Sequence, residues 1–211
     1  MQWTLVIPLK PLGLGKSRLT PFAGDGLRPR LALAFALDTV AAALNCPPVG
    51  EVTVVTDDPH AAAELSRLGA RIVPDPPGSG LNAALRQGVR AARRIRPRAP
   101  VAAMNADLPA LRPAELGRVL KAAEPFGRAF VADAARRGTT LLSALPGNSL
   151  RPAFGEASRT RHLASGAREI LLSEVDSVRQ DVDTGEDLRA AFALGVGPHT
   201  LAAASRLLIA E

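Results

Sequence analysis

Four short β-rich runs, each closed by a turn and followed by a helix-period segment, limit what the first half of this 211-residue chain can fold into. Trp3-Thr4-Leu5-Val6-Ile7 ends at Pro8 and leads into a Gly- and Lys-bearing loop over residues 9–17. A strand followed by a glycine loop is a start typical of nucleotide-binding folds. Residues 27–44 repeat apolar side chains and alanines at helical spacing, with Asp38 on the polar side, until Pro47-Pro48 stop the helix. Residues 51–55 read as a buried strand ending in Thr56-Asp57-Asp58-Pro59, whose carboxylates and proline start a helix over 60–68. Arg71-Ile72-Val73 is a third strand; the turn over residues 74–80 precedes a helix over 81–96. Residues 101–104 form a fourth strand ending at Asn105-Ala106-Asp107-Leu108-Pro109, and Pro113 opens another helix. This alternation predicts a mostly parallel sheet flanked by helices on both faces, a three-layer α/β sandwich.

The second half is less regular. Strands are predicted at 130–132, 140–145 and 178–182, and helices at 158–166, 187–194 and 201–209. No internal repeat, low-complexity tract or linker interrupts the sequence, so residues 1–211 are expected to form one domain.

Composition narrows the partners. Twenty-six basic side chains, 23 of them Arg and three Lys, face 20 acids, giving +6 at pH 7. A positive excess attracts polyanions, although an Ala-, Arg- and Pro-rich chain carries arginine for compositional reasons as well. Aromatics are 3% and Tyr is absent, leaving few side chains on which single-stranded bases could stack. A lone Cys46 excludes an internal disulfide and a cysteine-cluster metal site. No run approaches the ~18 apolar residues of a membrane span, and the first residues read as a strand and not as a leader. A cytoplasmic protein with no membrane partner is expected.

Several motifs fail on inspection. Gly15-Lys16-Ser17 resembles the end of a phosphate-binding P-loop, but Lys10 stands where that motif requires its first glycine. Gly78-Ser79-Gly80-Leu81-Asn82-Ala83 fits a loose dinucleotide pattern, yet it follows the third strand and two prolines, the wrong place for such a site. His60, His162 and His199 lack metal-ligand spacing and read as surface or capping residues, and no G-x-S-x-G elbow is present. Arg86, Arg90, Arg93 and Arg94 share a helical face that Arg96 and Arg98 extend. This is the best nucleic-acid candidate in the chain, but no aromatic residue interleaves and a solvated outer helix explains it more simply.

In open parallel sheets, ligands bind where the carboxyl ends of strands meet loops and helix starts. The polar clusters fall there: Lys16 and Arg18 after the first strand, Thr56 and Asp57 after the second, Gly78, Gly80 and Asn82 after the third, Asp107 after the fourth. Asp181-Val182-Asp183-Thr184 adds two carboxylates at period two, pointing to one side of an extended segment. Magnesium prefers a couple of carboxylates plus substrate phosphate oxygens, which Asp107, Asp183 and Asp181 would supply. The competing reading has Asp183 or Thr184 capping the helix that follows. Lys16 would neutralise a triphosphate, and the glycine amides near Asn82 could approach a base or ribose closely.

These residues resemble a known family. Ile7-Pro8-Leu9-Lys10 with Gly15-Lys16-Ser17-Arg18-Leu19, then Val54-Val55-Thr56-Asp57-Asp58, Gly80-Leu81-Asn82-Ala83-Ala84-Leu85, Ala106-Asp107-Leu108-Pro109, Gly138-Thr139-Thr140, Phe154-Gly155-Glu156-Ala157-Ser158 and Asp181-Val182-Asp183-Thr184 are similar to the phosphoenolpyruvate (2-phospho-L-lactate) guanylyltransferases of coenzyme F-420 biosynthesis. The likeness spans nearly the whole chain, although its single motifs also occur in other nucleotidyltransferases such as molybdenum-cofactor guanylyltransferases. It implies a GT-A-like, Rossmann-like nucleotidyltransferase fold. By this resemblance Lys16, Asp107 and Asp183 are catalytic, and Asp107, Asp181 and Asp183 hold Mg. Lys16, Arg18, Thr56, Asp57, Gly80 and Asn82 line a GTP site, and Thr140, Gly155 and Ser158 hold a three-carbon phosphorylated acid. Arg136 and Arg137 depart from the small, glycine-containing approach expected before the Thr pair. The expected partners are GTP and that acid, with no nucleic acid, and a homodimer is left open.

Overall fold

Alternate residues of the central strands go to opposite faces, and both faces are buried. In the computed structural model, which describes residues 1–14, 16–75, 78 and 80–208, Leu5, Ile7, Val52, Val54, Ala102 and Met104 join one core cluster. Val6, Val55, Val101 and Ala103 join another on the opposite face. Period-two alternation between two apolar environments is what a sheet covered on both sides requires.

The sheet is built from β1 (Trp3–Pro8), β2 (Val49–Val55), β3 (Arg71–Val73), β4 (Val101–Met104), β5 (Arg128–Ala132), β6 (Thr139–Ala144) and β7 (Arg168–Glu169), in the order β3-β2-β1-β4-β6-β5-β7. All neighbours pair in parallel except β6, which runs antiparallel to β4 and β5. That reversal brings the start of β6, with Thr139 and Thr140, to the same edge as the carboxyl ends of β1, β2 and β4.

On the first face lie α1 (Thr20–Leu44), α2 (Pro59–Arg67) and α4 (Pro113–Ala123); on the second lies α3 (Leu81–Ile95). The chain also contains a 3-10 turn, Ser17–Leu19, and the helices α5 (Ser158–Ala164), α6 (Asp176–Arg179), α7 (Gly185–Leu194) and α8 (Pro198–Leu208). Helix α3 sits tightly on the sheet because Gly88 has no side chain: a Cβ there would collide with Val6 and Val55.

The helix predicted from residue 27 begins earlier, at Thr20, and is interrupted at Gly24, where φ is 67°. Asp38 is not on a polar face. It is buried and accepts from the backbone N–H of His199 (3.1 Å) and Thr200 (2.8 Å), capping α8. The strand predicted at 178–182 is instead the one-turn helix α6 followed by irregular chain. Val175 and Val178 enter the same core cluster one helical turn apart, and Glu115 fixes Ser177 through both its N–H and its hydroxyl. Strand β7, two residues long, was not predicted. Gly15, Pro76, Pro77, Ser79 and the predicted helix end at Ile209 lie outside the described residues.

Candidate active site

Four loops converge at the carboxyl ends of β1, β2 and β4 and the start of β6. After β1 the chain turns back at Lys16, held at φ 59°, and its ammonium contacts Asp107 after β4 and Asp183 before α7. The distance to Asp183 Oδ1 is 2.7 Å. Asp107 is placed by α1: Thr39 donates to the Phe35 carbonyl at 2.7 Å and accepts from the Leu108 N–H at 3.0 Å, with the Ala106 carbonyl 3.2 Å from the same hydroxyl. The Asp107 carbonyl in turn accepts from the Val182 N–H at 3.1 Å, pinning the distant Asp181–Asp183 segment to the same edge.

Val182 enters the core while Asp181 and Asp183 stay on the site side, the period-two arrangement expected, but on irregular chain and not on a strand. Helix capping falls to Thr184, which accepts from the Asp187 N–H while Asp187 accepts from the Thr184 N–H. Asp183 is thereby left to pair with Lys16.

The electrostatics follow from this packing. Burial alone would lower the Lys16 pKa, but Asp107 and Asp183 outweigh it and raise it. Against its own burial, Asp183 is held below the usual carboxylate range by Lys16 and then Arg18. Asp181 is pushed up to about 8 by burial and by the charges of Asp107 and Asp183, and it accepts from Asn105 Nδ2 at 3.3 Å. Among the described residues no group of three or more His, Cys, Asp or Glu side chains is arranged to hold a metal ion. Asp107 and Asp183 share one cation, the Lys16 ammonium, and Asp181 turns to Asn105. Asp107 Oδ1 is buried with no partner, which fits a two-carboxylate seat for a divalent ion that completes its coordination elsewhere.

Beside this cluster a cleft of about 180 Å³ runs between the loop after β1 and the start of α3, lined by Leu9, Lys10, Asp57, Asp75, Gly80 and Leu81 among others. Asp57 is exposed on its wall. Thr56 is buried; its hydroxyl accepts from the Asp58 N–H, so it shapes the turn. Asp58 caps α2 through the N–H groups of His60 and Ala61 and also accepts from Leu12 N–H at 2.9 Å, tying the loop after β1 to β2. Gly80 opens α3 at φ 75°, where a side chain would be strained. Sequence reasoning missed Lys10 and Asp75. Asp75 is raised by burial and by Asp57, and its Oδ1 is buried without a partner. The only sequence signal for it was a carboxylate in a proline-glycine turn after a strand.

On the other side, Thr140 is buried with its Oγ1 unpartnered, next to Asn105, whose N–H donates to the Thr140 carbonyl. The loop carrying Gly155 (φ 114°) and Ser158 is gripped from three directions. Asn82 accepts from Phe154 N–H (2.8 Å) and donates to its carbonyl (3.1 Å), so it clamps this loop to α3. Arg161 donates to the Ala153 and Phe154 carbonyls. His162 accepts from Ala153 N–H at Nε2, which leaves the proton on Nδ1 to donate to Thr139 Oγ1. His162 is therefore no surface or capping residue: it is fully buried between Phe130 and Phe154, and burial, then Arg128 and Arg161, lower its pKa to about 4. The departure at Arg136 and Arg137 is absorbed by Asp133, which accepts from Arg137 and Gly138 N–H and closes the β5–β6 turn with both arginines outward.

The arginine-rich α3 does not present one uniform charged face. Arg86, Arg90 and Arg94 are exposed, whereas Arg93 donates to the Asn148 carbonyl and Arg96 to the Gln2 carbonyl.

Residues 27–193 match the model of the MobA-like NTP transferase domain. A phosphoenolpyruvate guanylyltransferase from Streptomyces coelicolor is 67% identical over 210 residues, covering 100% of this chain and 99% of that one. One from Thermomonospora curvata is 61% identical over 207 residues, covering 98% and 90%. Among solved structures, a nucleotide-diphospho-sugar transferase from Desulfovibrio desulfuricans superposes with a TM-score of 0.68 at 14% identity, covering 100% of this chain and 98% of that one. A nucleotidyl transferase from Methanothermobacter gives 0.65 at 24%, covering 92% and 97%. At these identities the structural matches speak to the fold, a mixed, mostly parallel sheet with helices on both faces.

Proposed function

We propose the following reaction for this chain, which belongs to the MobA-like NTP transferase family and, within it, to the phosphoenolpyruvate guanylyltransferases: transfer of GMP from GTP to the phosphate of phosphoenolpyruvate, with release of pyrophosphate. A phosphate oxygen of the acceptor attacks the α-phosphorus in line. The new P–O bond forms as the α–β bond breaks, and the electron pair leaves with pyrophosphate. The nucleophile is already ionised, so no general base is needed, which agrees with a cluster made of carboxylates and a lysine.

Two anions must meet, so the barrier is largely charge repulsion and misalignment. Lys16 supplies a positive charge fixed by Asp107 and Asp183. Magnesium, held by Asp107 and Asp183 with Asp181 behind them, would supply further neutralisation of the triphosphate. The cleft at Lys10, Asp57, Asp75 and Gly80 takes the nucleoside, and the partnerless Asp75 oxygen matches the adjacent N1–H and N2–H donors of guanine. Thr140, Gly155 and Ser158 take the acceptor, with Arg18 near Asp183 at the mouth. The guanylylated three-carbon acid is the product class used in coenzyme F-420 biosynthesis.

The observation carrying this reading is the Lys16–Asp107–Asp183 cluster at the sheet edge beside the buried, partnerless Thr140 hydroxyl. Pyrophosphate release measured with four nucleoside triphosphates against phosphoenolpyruvate, 2-phospholactate and 3-phosphoglycerate, with and without Mg, tests it. Release confined to GTP, a three-carbon acceptor and Mg is expected; release with no combination overturns it.

A further inference from the structure

The opposite end of the sheet holds a second cavity of about 670 Å³, unrelated to the cluster around Lys16. It opens at the start of β5, between the segment after β6 and the turn from α5 to β7, and Arg128, Arg151 and Arg168 line it together with Asn148, Ser149 and Ser165. Among the described residues no Asp or Glu lines it. Elsewhere in the described residues some arginines donate to backbone carbonyls, as Arg93, Arg96, Arg161 and Arg179 do, while Arg67, Arg71, Arg112, Arg118 and Arg159 pair with glutamates. The three around this cavity appear in no such pair.

Arg128 spends its donors on neutral groups, the carbonyls of Leu150 (3.1 Å) and Ser165 (3.0 Å) and the Ser165 hydroxyl (3.1 Å). Burial and then the neighbouring Arg151 work against its charge. Arg151 is exposed and held at φ 50°, and Arg168 lies over the Phe126 ring at 5.4 Å. Three like charges gathered around a concavity without a counter-ion repel one another, and an anion seated among them removes that cost.

We propose that this cavity is a second anion site, separate from the active site, for a small phosphorylated compound carrying about three negative charges, such as a diphosphate or a phosphorylated carboxylic acid. Planar guanidinium forks match phosphate and carboxylate oxygens in pairs, and the volume suits a small molecule better than a bare ion. The site also touches the acceptor loop through one short element. Helix α5 begins at Ser158 and ends against Ser165, which Arg128 holds, and His162 within it binds Ala153 and Thr139.

Calorimetric titration of the full chain with inorganic diphosphate, phosphoenolpyruvate and inorganic phosphate tests the proposal. The exposed pair is replaced in the double variant Arg151→Gln/Arg168→Gln, leaving the structural Arg128 in place. The wild type should bind diphosphate or phosphoenolpyruvate at two sites, whichever binds more tightly identifying the source, with inorganic phosphate at least ~10-fold weaker. The double variant should keep one site and lose ~10-fold or more in affinity at the other, while its kcat in low-anion buffer stays within about twofold of the wild type. A single site in the wild type, or two unchanged sites in the variant, overturns the proposal. So does binding of a short oligonucleotide that the double variant abolishes while both small-anion sites persist.

Discussion

Asn82 holds the backbone of Phe154 from both sides, accepting its N–H at 2.8 Å and donating to its carbonyl at 3.1 Å across 72 residues of sequence. Its side chain stands at the second position of α3, directly after the Gly80 turn, so one amide joins the proposed nucleoside cleft to the loop bearing Gly155 and Ser158. An amide is the only side chain of this size with both a donor and an acceptor in a plane.

Replacing Asn82 with Ala should therefore loosen the acceptor loop without emptying the nucleotide cleft. Two lost hydrogen bonds at about 1 kcal/mol each predict a fall of roughly 30-fold in kcat/KM, concentrated in KM for the acceptor. Asn82→Asp should be as poor, because its carboxylate keeps the bond from Phe154 N–H but repels the carbonyl. Equal losses in the nucleotide and acceptor KM would place Asn82 as a nucleotide ligand instead.

At the centre of the site, Asp107→Ala should lose at least ~10²-fold in turnover with an unchanged thermal transition, the scale of removing a strong electrostatic group. Lys16→Ala makes a separate prediction. With the ammonium gone, Asp107, Asp181 and Asp183 face one another without compensation, so millimolar Mg should raise the melting temperature of the variant more than that of the wild type. A variant whose melting temperature ignores Mg would remove the proposed role of these carboxylates as ion ligands.

His162 makes stability depend on pH. An unfolded histidine takes its proton near 6.5, but the folded one does so only near pH 4, because burial, then Arg128 and Arg161, disfavour the imidazolium. Between those values the unfolded chain binds more protons than the folded one. The stabilisation is thus complete above about pH 6.5 and disappears as pH falls toward 4, by at most about 3 kcal/mol. Denaturant midpoints at pH 7.5 and 4.5 should diverge more for the wild type than for His162→Gln, in which the carboxylate contributions remain.

The alternating first half was legible because β1, β4 and most of β2 are buried on both faces and each strand is followed by a proline-bearing turn, so periodicity and punctuation agree. Lys16 and Asp107 could be nominated from strand ends, and Asp183 from the period-two spacing of its segment. Their mutual contact could not, since it depends on Val182 reaching the Asp107 carbonyl across the sheet edge. What failed depended on tertiary contacts. Val178 looked like strand until Glu115 and the one-turn spacing to Val175 made it helix. Asp38 looked solvated until α8 was seated on it, and His162 looked peripheral until two phenylalanines enclosed it.

Asp75 gives the sharpest test of nucleotide choice. Its buried, partnerless oxygen lines the cleft with Asp57 and Lys10, and a carboxylate can only accept hydrogen bonds. Guanine offers two adjacent donors, N1–H and the N2 amino group, whereas adenine offers an acceptor at N1 and cytosine one at N3. Asp75→Asn replaces one acceptor with a donor, which would oppose the guanine N2 amino group but match the C2 carbonyl of xanthine. The variant should lose ~10²-fold in kcat/KM with GTP, the scale of hydrogen bonds to a charged group, and gain about tenfold with xanthosine triphosphate relative to the wild type. Inosine triphosphate, which lacks the N2 amino group, should lie between them in both proteins. A variant that still prefers GTP over xanthosine triphosphate would show that guanine is read elsewhere in the cleft, even if the guanylyl transfer itself stands.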